Sequence, residues 1–213
     1  MKRMLKKGCR MFILVFIAVG ISCFLRDTFD RMKEEKAAAT EYRVEYTIAE
    51  NKDILRGLLP EKWSRITAAE KQRILQTAAN TEANYLGIRK PLPVRVMDLE
   101  EGTLGRYVPE DHEIWIDEDY VANSPVQEVL ETVCHEAYHG YQVAVVDVFR
   151  EAEKEKQALL LFRRAEIYEE ELSRYQTGKE DYRTYYHQKL EEDARQYSGA
   201  AVQDWYEKLN TEK

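Results

Sequence analysis

Residues 131–142 read ETVCHEAYHGYQ, and residues 135–139 within them form the pattern HExxH. Side chains four positions apart share one face of a helix, so the imidazoles of His135 and His139 can reach one metal ion. Glu136 lies one position further along, where its carboxylate can accept a proton from a water molecule beside that ion. The neighbouring positions are mostly uncharged, as expected for a helix buried beneath a cleft. The alternative is a pair of core histidines that merely share a helix face.

The charge of the chain argues against nucleic-acid binding. The 213 residues carry a net charge of −7, and five Lys or Arg residues precede the first apolar run, which leaves −12 on the remainder. Binding to a phosphate backbone requires a basic surface instead. Of the three cysteines only Cys134 lies beyond the first 25 residues, so no disulfide can form within the folded domain. We expect Cys134 to be buried as a small apolar side chain rather than to bind the metal.

Residues 11–25, MFILVFIAVGISCFL, are uniformly apolar and follow the basic cluster. We interpret residues 1–26 as an uncleaved signal anchor in the cell membrane, with the N-terminus in the cytoplasm and the domain on the extracytoplasmic side. A cleaved signal peptide, which would make the protein secreted, and a lipid-modified Cys23 are weaker alternatives. Residues 27–47 are charged and predict a stalk or linker, and residues 48–213 are predicted to form the folded domain.

The segments before the motif predict an α+β domain that is mainly helical. Thr67 and Glu70 make a capping box for a helix that ends near Gly87. Three short alternating segments predict the strands of a small antiparallel sheet, at residues 93–97, 106–108 and 113–117. The edge strand of this sheet could pair with an extended peptide, or the sheet could serve only to cover the helices.

Ser124 is a suitable N-cap for the helix that carries the motif, and Pro125 suits its first position. A highly charged helix over about residues 151–176 and a last helix over about residues 182–209 are predicted to follow. Both histidines of the motif are therefore expected to project from one buried helix that precedes two further helices.

A hydrolytic zinc site uses three protein ligands and leaves one position open for water, so a third ligand must come from elsewhere. A histidine six residues after His139 would complete one extended form of the motif, but Val145 occupies that position. Asp147 lies too far along the helix axis to share the metal. We interpret Glu166 and residues 169–171 as the solvated face of a charged helix.

The last predicted helix contains the remaining candidate, Glu191, which Ala194 follows three positions later. A small alanine allows two helix backbones to approach closely, and Glu192 is the alternative ligand if the register differs by one residue. HEAYH combined with this ExxA pattern resembles the gluzincin clan of zinc peptidases, in particular the minimal ImmA/IrrE-like and M48-like peptidase domains. The resemblance covers roughly residues 90–200.

The resemblance implies a zincin-like domain that holds one Zn²⁺ ion and hydrolyses peptide bonds in a polypeptide substrate. His135, His139 and Glu191 would be the zinc ligands, and Glu136 would be the general base. The 51 residues between His139 and Glu191 depart from the pattern, because short members of these families bring the glutamate sooner. This insertion could cap the cleft, recognise a partner or act as a spacer.

Peptide hydrolysis by this chemistry also needs a donor that stabilises the oxyanion. His187, one turn before Glu191 on the same predicted helix face, is the candidate, with a surface histidine or one that only supports a ligand as the alternatives. Three tyrosines are further candidates: Tyr138, Tyr141 and Tyr186. We expect Asp193 to orient a ligand histidine and Arg195 to pair with the acidic cluster.

The leading hypothesis is therefore a membrane-anchored zinc metallopeptidase that acts on polypeptides outside the cytoplasmic membrane. The first alternative is a catalytically silent zincin-fold module that binds a partner. The second is a sensor or regulatory subunit whose long charged helices bind a partner. Both alternatives would tolerate the loss of Glu136, whereas a peptidase would not.

Overall fold

The computed structural model describes residues 44–211. The predicted signal anchor at residues 1–26 lies outside the described residues, as does almost all of the predicted stalk. Within residues 44–211, no helix combines the length and the apolar character that a membrane span requires.

The domain is mainly helical and contains one small sheet, which confirms the α+β class. Its helices are α1 (Lys52–Leu55), α2 (Pro60–Trp63), α3 (Ala68–Tyr85), α4 (Glu118–Asn123), α5 (Val126–Glu151), α6 (Lys154–Gln157), α7 (Arg163–Leu172), α8 (Tyr182–His187) and α9 (Lys189–Thr211). Its strands, between α3 and α4, are β1 (Val94–Met97), β2 (Gly105–Val108) and β3 (Glu113–Asp117). Three short 3-10 helices cover Val44–Tyr46, Arg56–Leu58 and Leu160–Phe162.

The sheet is mixed, with the strand order β1-β3-β2. β2 pairs antiparallel with β3, whereas β1 pairs parallel with it, so the expectation of an antiparallel sheet is wrong for one of the two pairings. The chain reverses direction after β1 and again after β2, and β3 then inserts between them, which makes β3 parallel to β1. Ile114 and Ile116 of β3 are completely buried, as suits a central strand.

Helix α3 covers the outer edge of β1. Gln72 donates from Nε2 to the carbonyl of Val94 at 2.6 Å and accepts at Oε1 from the amide of Val96 at 3.0 Å. Gln76 makes the same two kinds of bond, at 2.9 Å each, to the carbonyl of Leu92 and the amide of Val94. Within the described domain, β2 therefore carries the sheet edge that remains open to another strand.

Helix α5 carries the motif and lies at the centre of the domain. It begins one residue later than predicted, and Pro125 rather than Ser124 occupies the N-cap position, with φ −56° and ψ 136°. Its buried face joins the sheet, α3 and α9 in one core: Val126, Val129, Leu130, Val133, Cys134 and Ala137. The burial of Cys134 and the Thr67–Glu70 capping box of α3 are both confirmed.

The predicted last helix is interrupted at Gln188, whose extended backbone separates α8 from α9. Long-range contacts stabilise this break. Glu171 at the end of α7 accepts hydrogen bonds from the amides of Lys189 and Leu190, both at 2.8 Å, and so caps the first turn of α9. The predicted charged helix is likewise divided, into α6, a 3-10 turn and α7.

Candidate metal centre

Helices α5 and α9 bring His135, His139 and Glu191 together, with one ligand atom of each within 4.8 Å of the others. The two imidazole Nε2 atoms are 3.0 Å apart. Glu191 Oε2 lies 3.3 Å from Nε2 of His135, and Glu191 Oε1 lies 3.4 Å from Nε2 of His139. Two ligand atoms bound tetrahedrally at about 2.0–2.1 Å from one zinc-sized ion would be about 3.3 Å apart. The cluster therefore has the dimensions of a single metal-binding site.

The carboxylate of Glu191 is buried and ionised, as a metal ligand must be. Burial acts to raise its pKa, but contacts with His135, His139 and Tyr175 outweigh burial and hold the pKa at about 2. Its Oε1 accepts a hydrogen bond from the hydroxyl of Tyr175 at 2.5 Å. Its Oε2 is buried and accepts no hydrogen bond from the described residues. A buried carboxylate oxygen without a donor is a suitable partner for a cation.

Gln142 fixes the orientation of His139. Its completely buried side chain accepts at Oε1 from Nδ1–H of His139 at 2.7 Å and donates from Nε2 to the carbonyl of Leu190 at 2.9 Å. Because the amide nitrogen is engaged by Leu190, the oxygen faces the ring and selects the tautomer protonated at Nδ1. Nε2 of His139 therefore presents its lone pair to the cluster.

Glu136 lies beside the three candidate ligands and lines the same cleft. The backbone amide of Tyr107 in β2 donates to Glu136 Oε2 at 2.6 Å, which leaves Oε1 for other partners. Burial raises the pKa of Glu136 to about 7, the charge of Glu191 acts in the same direction, and the charge of His139 and the Tyr107 amide oppose them. A carboxyl group with this pKa can both accept and release a proton near neutral pH.

His187 does not reach the site, and the expectation that it shares a helix face with Glu191 is wrong. The break at Gln188 leaves His187 exposed on α8, edge-on to Tyr186 with ring centroids 5.4 Å apart. Glu192, the alternative ligand, is also exposed, and it pairs with Lys189 at 2.5 Å. The structure thus brings Glu191, and not Glu192, to the two histidines.

The other polar candidates lie mainly away from the cluster. Asp193 accepts one hydrogen bond from the Tyr168 hydroxyl at 2.6 Å and pairs with Arg164 at 3.1 Å, so the expectation that it orients a ligand histidine is wrong. Arg195 lies 3.9 Å from Glu191 Oε2, which agrees with the predicted pairing. The three tyrosines proposed as donors do not line the cleft: Tyr138, Tyr141 and Tyr186.

The cluster lies in a cleft of about 990 Å³. One wall is the open edge of β2 with the loop before it, the floor is α5, and the opposite wall is α9 with residues 173–185. Sequence reasoning missed several residues of this arrangement: Tyr107, Gln142, Glu171, Tyr175 and Tyr185. The polar Gln142, three positions after His139 on the motif helix, was a detectable signal, whereas nothing local marked Glu171 or Tyr175.

Comparisons with models of protein families, with curated proteins and with solved structures found no match for this chain. The evidence for a metal centre is therefore the geometry of the cluster and the chemistry of its donors.

Proposed function

We propose that this protein is a zinc-dependent peptidase of the gluzincin type, held at the membrane by residues 1–26. The observation that carries the proposal is the cluster of His135, His139 and Glu191 with the buried Glu136 beside it. Two imidazoles and one carboxylate are a common ligand set of catalytic zinc, and they leave one coordination position open.

Each residue of the site would have a separate role in hydrolysis. Zinc held by the two Nε2 atoms and Glu191 would acidify a water molecule and polarise the scissile carbonyl. Glu136 would accept the proton of that water at Oε1, while the Tyr107 amide holds Oε2 in place. It would then donate the proton to the leaving nitrogen, a double role that suits its pKa of about 7 in the metal-free protein.

The open edge of β2 supports a polypeptide as the substrate. The amide of Asp117 donates to the carbonyl of Leu104, so in the antiparallel register the backbone groups of Gly105 and Tyr107 point away from β3. Tyr107 N–H is already bound by Glu136, and the Gly105 groups and the Tyr107 carbonyl are left for an extended chain. Such pairing would lay a peptide bond across the metal centre.

Glu136→Gln tests the proposal, with Glu131→Gln as a matched control, because Glu131 lies on the same helix and lines the same cleft. We expect the Glu136 variant to retain one zinc ion per chain and to lose hydrolysis of an unfolded protein substrate by at least about 10²-fold. The control should retain both properties. Bound metal is measured by mass spectrometry and hydrolysis by the release of new amino termini.

Full hydrolysis by the Glu136 variant would refute the proposed general base. Zinc binding without hydrolysis in the unmodified protein would instead support the silent or regulatory module. His135→Ala should lose the metal itself, and its unchanged metal content would refute the ligand assignment.

A further inference from the structure

Residues 173–181, which connect α7 to α8, form part of the cleft wall, and we refer to them as the strap. Three strap residues besides Tyr175 line the cleft: Thr177, Gly178 and Lys179. The strap belongs to the inserted region between His139 and Glu191, to which the sequence motif assigns no role.

Tyr175 makes the two oxygens of Glu191 inequivalent. Its hydroxyl donates to Oε1 at 2.5 Å, whereas Oε2 has no donor and lies 3.3 Å from Nε2 of His135. A carboxylate that is held at one oxygen has lost the rotation that would otherwise exchange the two. With Oε1 held beside His139, Oε2 is kept beside His135, and orienting partners of this kind tune how tightly a ligand binds its metal.

The strap itself is held from two sides. Beside Tyr175, the buried side chain of Gln188 accepts from the amide of Gln176 at 2.9 Å and donates to the carbonyl of Gln176 at 3.0 Å. Further along, Lys179 forms an ion pair with Glu100 in the loop between β1 and β2. Both side chains of that pair are more than half exposed, so the pair is weak and the buried Gln188 is the firmer of the two anchors.

We propose that Tyr175, which the strap holds in the cleft wall, is a positioning residue for Glu191 and strengthens its hold on the metal. The inference rests on the proposed metal centre but not on peptide hydrolysis. The Gln176–Gln188 hydrogen bonds hold the backbone beside Tyr175, so the Tyr175 hydroxyl stays on Glu191.

Tyr175→Phe tests the positioning role in the full chain, kept in detergent. Tyr182→Phe is the matched control, since Tyr182 lines the same cleft and its hydroxyl makes no hydrogen bond to Glu191. We expect Tyr175→Phe to weaken the zinc dissociation constant by about 10–100-fold and to change the visible absorption of the Co²⁺-substituted protein. The control should match the unmodified protein in both measurements.

An unchanged dissociation constant and Co²⁺ spectrum for Tyr175→Phe would overturn the positioning role. Thermal melting of the metal-free variants reports whether the substitution has disturbed the fold instead. If the unmodified protein bound no zinc, the proposed function would fail first, and the two failures are therefore distinguishable.

Discussion

Gln142 contacts two different partners, so its substitution should separate metal affinity from stability. Its Oε1 accepts from His139 at 2.7 Å, and its Nε2 donates to the Leu190 carbonyl at 2.9 Å. Gln142→Leu removes both hydrogen bonds. Gln142→Glu has the same shape and keeps an acceptor for His139, but on ionisation it places a second negative oxygen against the carbonyl of Leu190.

The expected magnitudes differ for the two variants. The loss of a partner that orients a ligand histidine lowers metal affinity by about 10–100-fold, so Gln142→Leu should bind zinc about 1.4–2.8 kcal/mol more weakly. It should also lose about 1–3 kcal/mol of unfolding free energy, because His139 Nδ1–H is left without its acceptor. Gln142→Glu should bind zinc at least as tightly as the unmodified protein, because a carboxylate makes the imidazole more basic.

The metal-free stability of Gln142→Glu should depend on pH. The new carboxyl group is neutral at low pH and can still donate to Leu190, so the variant should then resemble the unmodified protein. As the pH rises and the buried group ionises, stability should fall, because the charge loses its hydration and faces an oxygen.

Chelator competition gives the zinc affinities, and urea unfolding of the metal-free proteins gives the stabilities. Equal zinc affinity in Gln142→Leu and the unmodified protein would refute the orienting role. A loss of affinity in Gln142→Glu as large as in Gln142→Leu would show that the Leu190 contact, and not the His139 contact, controls the ligand.

Two further predictions concern the scaffold. An added Cβ at Gly105 would lie 2.7 Å from Thr132 Cγ2, so Gly105→Ala should lower the free energy of unfolding in urea by about 1–3 kcal/mol. At Gly199 in α9 an added Cβ meets no neighbouring element of the described chain within 4 Å, so Gly199→Ala should raise the free energy of unfolding by about 0.5–1 kcal/mol. Burial raises the pKa of Glu82, so its contribution to stability is present at low pH and is lost as the pH rises through the folded-state pKa. Glu82→Gln should therefore gain melting temperature relative to the unmodified protein as the pH rises above the ordinary glutamate pKa of about 4.3, and a constant difference would contradict this.

The parts of the site that depend on local spacing could be predicted from the sequence. The four-residue separation of His135 and His139 places both rings on one helix face whatever surrounds them. The choice of Glu191 over Glu192 depended on the small Ala194 three positions later, and the structure brings Glu191 to the cluster. The Thr67–Glu70 capping box is local in the same way.

The features that depend on contacts between distant residues could not be predicted. Alternation along β1 and β3 indicates which side chains face the core, but it does not specify which strand lies beside which. The break at Gln188 has no local signal, since neither Gly nor Pro stands there, and it depends on Glu171 and on the backbone of Gln176. The displacement of His187 from the site is a consequence of that break.

The inserted region contacts the candidate metal centre directly. Glu171 lies within it and caps the helix that carries Glu191, and the Tyr175 hydroxyl donates a hydrogen bond to the Glu191 carboxylate. The start of that same helix, at Leu190, accepts the hydrogen bond that turns Gln142 towards His139. Shortening the insertion would remove Glu171 and Tyr175 and leave the HExxH helix intact. The chain between His139 and Glu191, which is longer than the pattern requires, thus supplies contacts that hold the third candidate ligand in place.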